Sequence, residues 1–257
     1  MERETVLITG ASAGIGRELA REFAREGARL VLLARRRDRL EELARELSTR
    51  HGADHRVEVC DLAAPLAVAS LVARLRREGW MPDVAVLNAG FGLHGAFVEQ
   101  DPQQLREMVT LNAASLTELA ARLAPHLVAQ HRGGLLLVAS LAAFQPMPHF
   151  AVYAATKAFV LSFGEALHEE LCPFGVKVSI FCPGPVPTEF RDIAGSPARQ
   201  ASFLDTPNVT TAARSALEGF RAGRVVVLQP RLRGWLATLA VRVAPRALVR
   251  RLAASFG

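Results

Sequence analysis

Thr5-Val6-Leu7-Ile8-Thr9-Gly10-Ala11-Ser12-Ala13-Gly14-Ile15-Gly16 decides how this chain folds. Residues 5–8 predict a short buried strand. After Gly16 the apolar spacing changes to the 3.6-residue period of an amphipathic helix that reaches about Glu26. The turn between them carries three glycines in the spacing GxxxGxG, where the commoner dinucleotide pattern is GxGxxG. The physics of the two is shared. A tight turn without β-carbons opens a helix whose free N–H groups and dipole attract a pyrophosphate. Gly10, Ser12, Gly14, Ile15 and Gly16 are therefore candidate dinucleotide contacts.

The same unit recurs outward from this turn. Further strands are predicted over 29–34, 57–60, 84–87, 134–139, 176–181 and 224–228. Helices are predicted over 36–50, 65–78, 102–130 (broken near Pro125), 151–171 and 207–222. Continuously apolar strands alternating with helices imply a parallel sheet covered on both faces. With right-handed crossovers this becomes a single-domain α/β Rossmann fold, a doubly wound seven-stranded parallel sheet in a three-layer α/β/α arrangement, strand order 3-2-1-4-5-6-7. Residues 1–229 form the predicted catalytic domain, and 230–257 a basic amphipathic extension. Chemistry in such a sheet gathers beyond the carboxyl ends of the strands, where Gly10, Arg35, Asp61, Asn88, Ser140 and Pro183 fall.

The end of the second strand reads Ala34-Arg35-Arg36-Arg37. A site for NAD would place a carboxylate there for the ribose 2′-hydroxyl, whereas a guanidinium pairs with a 2′-phosphate. Cations at a helix N-terminus also oppose its dipole, a placement that a bound anion relieves. NADP(H) is the predicted cofactor, with Arg35 as first and Arg36 as second candidate. Asp61 and Leu62 would flank the adenine, and Asn88-Ala89-Gly90 the adjoining ribose.

One tyrosine, Tyr153, stands in the whole chain, and only two lysines, Lys157 and Lys177, among 31 basic residues. Tyr153 and Lys157 lie one helical turn apart and share a face. An ammonium beside a phenol favours phenolate, so the pair is expected to lower the phenol's pKa towards the range where acid–base catalysis works.

Composition narrows the classes. Half the residues are apolar, enough for one large core. The three cysteines form no metal-ligand couple and read as buried thiols of a reducing compartment. The charged start, Met1-Glu2-Arg3-Glu4, is no signal peptide, and no apolar run approaches a membrane span, so a cytoplasmic protein is expected. Net charge is +6, but residues 230–257 hold six arginines and no acid, leaving 25 basic and 25 acidic residues in 1–229. With no zinc-finger spacing, basic heptad or aromatic stripe, nucleic acid is not an expected partner.

Taken together, Thr9-Gly10-x-x-x-Gly14-x-Gly16, Asn88-Ala89-Gly90, Asn112, Ser140, Tyr153-x-x-x-Lys157 and Pro183-Gly184 with Thr188 resemble the single-domain short-chain dehydrogenase/reductase family over about residues 4–230. The family often has Asn before Asn-Ala-Gly; here it is Leu87. The resemblance implies that Tyr153 exchanges a proton with the carbonyl or alcohol oxygen and that Lys157 lowers its pKa and holds the nicotinamide ribose. It implies that Ser140 polarises the substrate oxygen and that Asn112 holds a water behind Lys157. Pro183, Gly184, Val186 and Thr188 would surround the nicotinamide carboxamide, and Glu189 to about Phe203 would form a substrate lid. Self-association as a homodimer or homotetramer is expected through the Tyr153 helix and its neighbour at 102–130.

Around the expected pocket stand Phe91, Leu93, His94, Leu141, Phe144, Met147 and His149, with Gln145, Phe150 and Phe190 as substrate contacts alongside Ser140. This apolar set favours a hydrophobic ketone or secondary alcohol; neither histidine receives a catalytic role. The extension combines Trp235, Leu236, Leu239, Val249 and Phe256 with its arginines, and Pro245 divides it into two short helices. It suits an anionic membrane surface, a subunit interface or packing on its own domain. The predicted function is a cofactor-dependent oxidoreductase. The alternative is a non-catalytic NADP(H)-binding regulator, which would have no use for Asn112, Ser140, Tyr153 and Lys157 together. An epimerase of the family's longer branch needs a further substrate domain for which the chain is too short.

Overall fold

Five fully apolar or β-branched residues make β1 (Thr5–Thr9), and every one of them is buried. The computed structural model describes residues 3–196 and 208–254. After β1 come α1 (Gly14–Arg25), β2 (Arg29–Ala34), α2 (Arg37–His51), β3 (His55–Val59), α3 (Ala67–Arg77) and β4 (Val84–Leu87). Then follow α4 (Pro102–Val109), α5 (Leu116–Gln130), β5 (Gly134–Val138), α6 (Ala151–Leu171), β6 (Lys177–Pro183) and α7 (Phe190–Ile193). The chain finishes with α8 (Val209–Arg221), β7 (Val226–Gln229), α9 (Arg231–Val243) and α10 (Arg246–Ala254).

The described residues form a seven-stranded sheet in the order β3-β2-β1-β4-β5-β6-β7, parallel throughout. Alternation along the strands divides the core. Val6, Ile8, Leu30, Leu32, Val84 and Val86 face α1, α2 and α8 through Leu19, Phe23, Leu40, Leu43 and Phe220. Leu7, Val31, Leu33, Ala85 and Leu87 face α3, α5 and α6 through Leu71, Leu75, Leu119, Leu123 and Val160. This is the predicted Rossmann sheet, and it puts the glycine turn, Asn88, Ser140 and Pro183 along one edge of the molecule.

The helix over 102–130 departs from expectation. The chain runs helically through Pro125, and the irregular segment lies upstream, a π-helical turn at Thr110–Ser115. Pro125 costs the one N–H bond to the carbonyl of Ala121. Leu119, Leu123 and Leu127, almost wholly buried around it, hold the helix to the sheet. The π turn instead places Asn112 fully inside the protein.

Helix α9 returns along the outer strand and packs close to it at Gly234, where a β-carbon would make ordinary contact with the side chains of Leu228 at 3.4 Å and Leu141 at 3.5 Å. The predicted lid residues 197–203, and Phe256, lie outside the described residues. Among the described residues no helix is long and apolar enough to cross a membrane.

Candidate active site

The carboxyl ends of β1 and β4 are tied together before any site is built. The Thr9 hydroxyl donates to the carbonyl of Val86 and accepts from the backbone N–H groups of Asn88 and Ala89, both at 2.9 Å. The Asn88 side-chain amide donates back to the carbonyls of Thr9 and Gly10. Gly16 packs directly behind this knot. A β-carbon there would come 2.5 Å from both Asn88 Nδ2 and the Gly10 carbonyl. Gly16→Ala should therefore lower stability by about 1–3 kcal/mol, read by chemical denaturation; an unchanged midpoint would show that the turn relaxes freely.

Helix α1 begins at Gly14, and its N-cap, Ala13, supplies no side-chain acceptor. Its first N–H groups face a cleft of about 1700 Å³ that runs along the strand ends. Every cofactor residue named from the sequence lines this cleft except Gly16, which supports the turn from behind. The cradle without β-carbons fits a pyrophosphate, and the arginines fit a 2′-phosphate. Arg35 is exposed at the rim. Arg36 is the more tightly placed of the two: its guanidinium lies 3.3 Å from Ser12 Oγ and 2.8 Å from Glu189 Oε2, 153 residues away in sequence. That guanidinium also holds the Glu189 carboxyl below the usual carboxylate range. Sequence reasoning assigned Glu189 only to the start of a lid; nothing local signals its reach to Arg36.

At the other end of the cleft Tyr153, Ser140 and Lys157 converge. Ser140 extends from the end of β5, its hydroxyl accepting from the N–H of Ala142. Lys157, buried one turn below Tyr153, donates from Nζ to the carbonyl of Val138 at 2.8 Å and stands 5.8 Å from the centre of the Tyr153 ring. Asn112 lies behind them. Its Nδ2 donates to the carbonyl of Phe91 and to Thr156 Oγ1, and its Oδ1 accepts from the N–H of Phe91. It sits against Gly90, where a β-carbon would be 2.8 Å from Asn112 Oδ1 and 3.6 Å from Lys157 Nζ. Thr9, which the sequence reading placed in the glycine motif without a role, and Thr156, which it did not single out, are the hydroxyls that fix this arrangement.

The expected lowering of the phenol's pKa by its neighbour is reversed. Burial pushes the Tyr153 phenol up to about 12, only partly opposed by the Ser140 hydroxyl. Burial pulls the Lys157 ammonium down to about 8. The i,i+4 spacing brings the cation close, but removal of both groups from water outweighs their attraction. Between about pH 8 and 10.5 the unfolded chain then holds a proton on Lys157 that the folded chain has released. The stability this lysine confers is complete above 10.5 and lost as pH falls to about 8. Relative to Lys157→Met, the protein should gain up to about 1.4 kcal/mol per pH unit across that window. Urea titration at each pH measures this, and a flat difference would refute it.

Aromatic rings line the Tyr153 end. Phe150 and Phe190 flank Tyr153 at 5.8 and 5.2 Å between ring centres, and His94 meets Phe150 edge-on at 4.9 Å. The N–H of His94 donates to the carbonyl of Ala194, and that of Gly95 to His149, so three loops are tied together around the opening. Ser140, Gln145, Phe150 and Phe190 all line the cleft; His149 does not. The inner faces of α9 and α10 close the remaining side through Ala237, Thr238, Val241 and Val249. Sequence reading left that role open, because the extension is apolar on more than one face. Among the described residues no cluster of His, Cys, Asp or Glu suits a metal ion.

Residues 4–197 match the short chain dehydrogenase family. The chain is 33% identical over 191 residues to the probable oxidoreductase EphD of Mycobacterium tuberculosis; the match takes in 74% of this chain but 32% of EphD, about a third of that protein's length. It resembles a short-chain dehydrogenase from Sphingobium yanoikuyae solved with NADPH, at 35% identity and TM-score 0.84, covering 93% of each chain. It also resembles the bulky-bulky ketone specific alcohol dehydrogenase from Comamonas testosteroni, at 32% identity and TM-score 0.80, over 94% of this chain and 93% of that one. The sheet and the glycine turn at its carboxyl edge are those of a Rossmann fold, and the chain belongs to the short chain dehydrogenase family.

Proposed function

We propose that this protein is an NADP(H)-dependent oxidoreductase acting on bulky hydrophobic ketones and the corresponding secondary alcohols, with Tyr153 as the general acid and base. The observation that carries the reading is the meeting of Tyr153, Ser140 and Lys157 at the aromatic end of a cleft whose far end holds the glycine turn and Arg36. The solved relatives with NADPH and with specificity for bulky ketones support the cofactor and the substrate class.

Gly10, Gly14 and the first N–H groups of α1 would hold the pyrophosphate, Ser12 and Arg36 the 2′-phosphate, and Lys157 the nicotinamide ribose. Bound there, the cofactor supplies the hydride. Ser140 donates a hydrogen bond to the carbonyl oxygen and fixes its position. A phenol held near pKa 12 is fully protonated at neutral pH, so Tyr153 stands ready to give its proton to that oxygen as negative charge develops on it. The neighbouring ammonium, mostly charged at pH 7, then stabilises the phenolate. Asn112 positions Lys157 and the Phe91 backbone from behind, and a water relay through it belongs to the same reading. Residues 1–229 serve as the catalytic unit and 230–257 as its helical cap. Self-association runs through α5 and α6, where Phe159 stands part-exposed and stacks on Phe163.

A panel of aryl and branched ketones, followed by NADPH absorbance, tests the proposal. Turnover of apolar ketones is expected; tight NADPH binding without turnover of any member would favour the regulatory alternative.

A further inference from the structure

Helix α9 has two apolar faces. Gly234 and Thr238 are buried, and Ala237 and Val241 beside them line the cleft. On the opposite side Leu232, Leu236, Leu239 and Val243 recur at i, i+4, i+7 and i+11, a single stripe at helical spacing. With Trp235 at its edge this stripe is open to solvent: Leu232, Leu236, Leu239 and Val243 are 68%, 52%, 42% and 76% exposed, and Trp235 53%. Arg231 and Arg242 border it, and α10 adds Arg246, Arg250 and Arg251, all exposed. Residues 230–257 contain no acid.

A surface helix normally turns a polar face outward. An outward apolar stripe bordered by arginines has the form of a helix lying in a lipid interface, its side chains in the acyl boundary and its guanidiniums at the phosphates. A second copy is a poor occupant. Twofold pairing of α9 with itself would bring arginine against arginine, with no acid on either helix to pair them. We propose that the outer face of α9 and the arginines of α9 and α10 dock this protein on an anionic lipid surface. Because the inner faces of these helices wall the cleft, docking sets the substrate end beside the lipid, where apolar ketones partition; this last clause alone rests on the proposed function.

The test floats the full-length protein with phosphatidylcholine vesicles, with and without phosphatidylglycerol. Flotation is expected with the anionic vesicles, reversed by high salt, and about ten-fold weaker or absent with phosphatidylcholine alone. Tryptophan emission should shift to the blue on binding and report Trp235, since the only other tryptophan, Trp80, is covered by Arg29 at 3.9 Å. Leu236→Asp with Leu239→Asp should abolish flotation at an unchanged melting temperature. Should that pair fail to fold, Arg231→Gln with Arg242→Gln keeps the stripe and should weaken flotation about ten-fold. Equal partitioning to both vesicle types, no flotation, or a solution dimer that Leu236→Asp splits into monomers would overturn the proposal. Flotation reads docking whether or not any ketone turns over, so its failure is distinct from failure of the enzymatic reading.

Discussion

Tyr153→Phe should lower kcat for ketone reduction by about 10²–10⁴-fold, the range for removing a general acid, while NADPH affinity stays within about two-fold. The substitution removes one oxygen from a half-buried ring that keeps its contacts with Phe150 and Phe190. The bond from Lys157 to Val138 does not involve that oxygen, so the ammonium stays in place. A loss confined to kcat, with the melting temperature preserved, is the signature of a proton donor used only as charge develops on the substrate. Ser140→Ala, which leaves the acid but removes a hydrogen bond to the developing oxyanion, should cost about 10²–10³-fold. Undiminished turnover by Tyr153→Phe would refute the mechanism outright, since the chain contains no other phenol.

Arg36→Ala should raise KM for NADPH by about 30-fold, equivalent to about 2 kcal/mol, and barely change KM for NADH. The reason lies in charge: the guanidinium beside Ser12 is the one proposed to meet the 2′-phosphate, a group that NADPH carries and NADH lacks. Arg35→Ala, at an exposed rim position, should have the smaller effect, reversing the order assumed from sequence. Glu189→Gln gives the complementary result. Its carboxylate holds Arg36 and would repel the phosphate, so the amide should lower KM for NADPH modestly. Steady-state kinetics with both cofactors decides. Equal losses for NADPH and NADH on Arg36→Ala would move the discrimination elsewhere.

Much of this architecture was legible before any coordinate. β1, the glycine turn and α1 announce themselves by short-range patterning, and continuously apolar strands admit few arrangements once crossovers are right-handed. Strand order and the gathering of Gly10, Asn88, Ser140 and Pro183 at one edge follow from those rules. The rarity of tyrosine and lysine in the chain marked Tyr153 and Lys157 without any knowledge of the fold. The family resemblance supplied Asn112 and Ser140; Ser140 lines the cleft and Asn112 lies buried behind Gly90 and Lys157.

What only the tertiary structure decided depends on groups distant in sequence, or on a balance between opposing effects. The π turn at Thr110–Ser115 has no compositional mark, and Pro125 breaks nothing because Leu119, Leu123 and Leu127 are packed around it. The sign of the Tyr153 shift could not be read from its spacing to Lys157. Spacing reports the neighbour's charge, whereas burial by the whole fold sets the larger opposing cost. The proposed preference for Arg36 over Arg35 rests on its contacts with Ser12 and Glu189, the latter 153 residues away in sequence. The extension was recognisable as basic and apolar, but which of its faces walls the cleft depended on where β7 ends and on how α9 packs back against it. Sequence patterns fix what can be built from local periodicity and chirality; burial and long-range contact fix which charges meet.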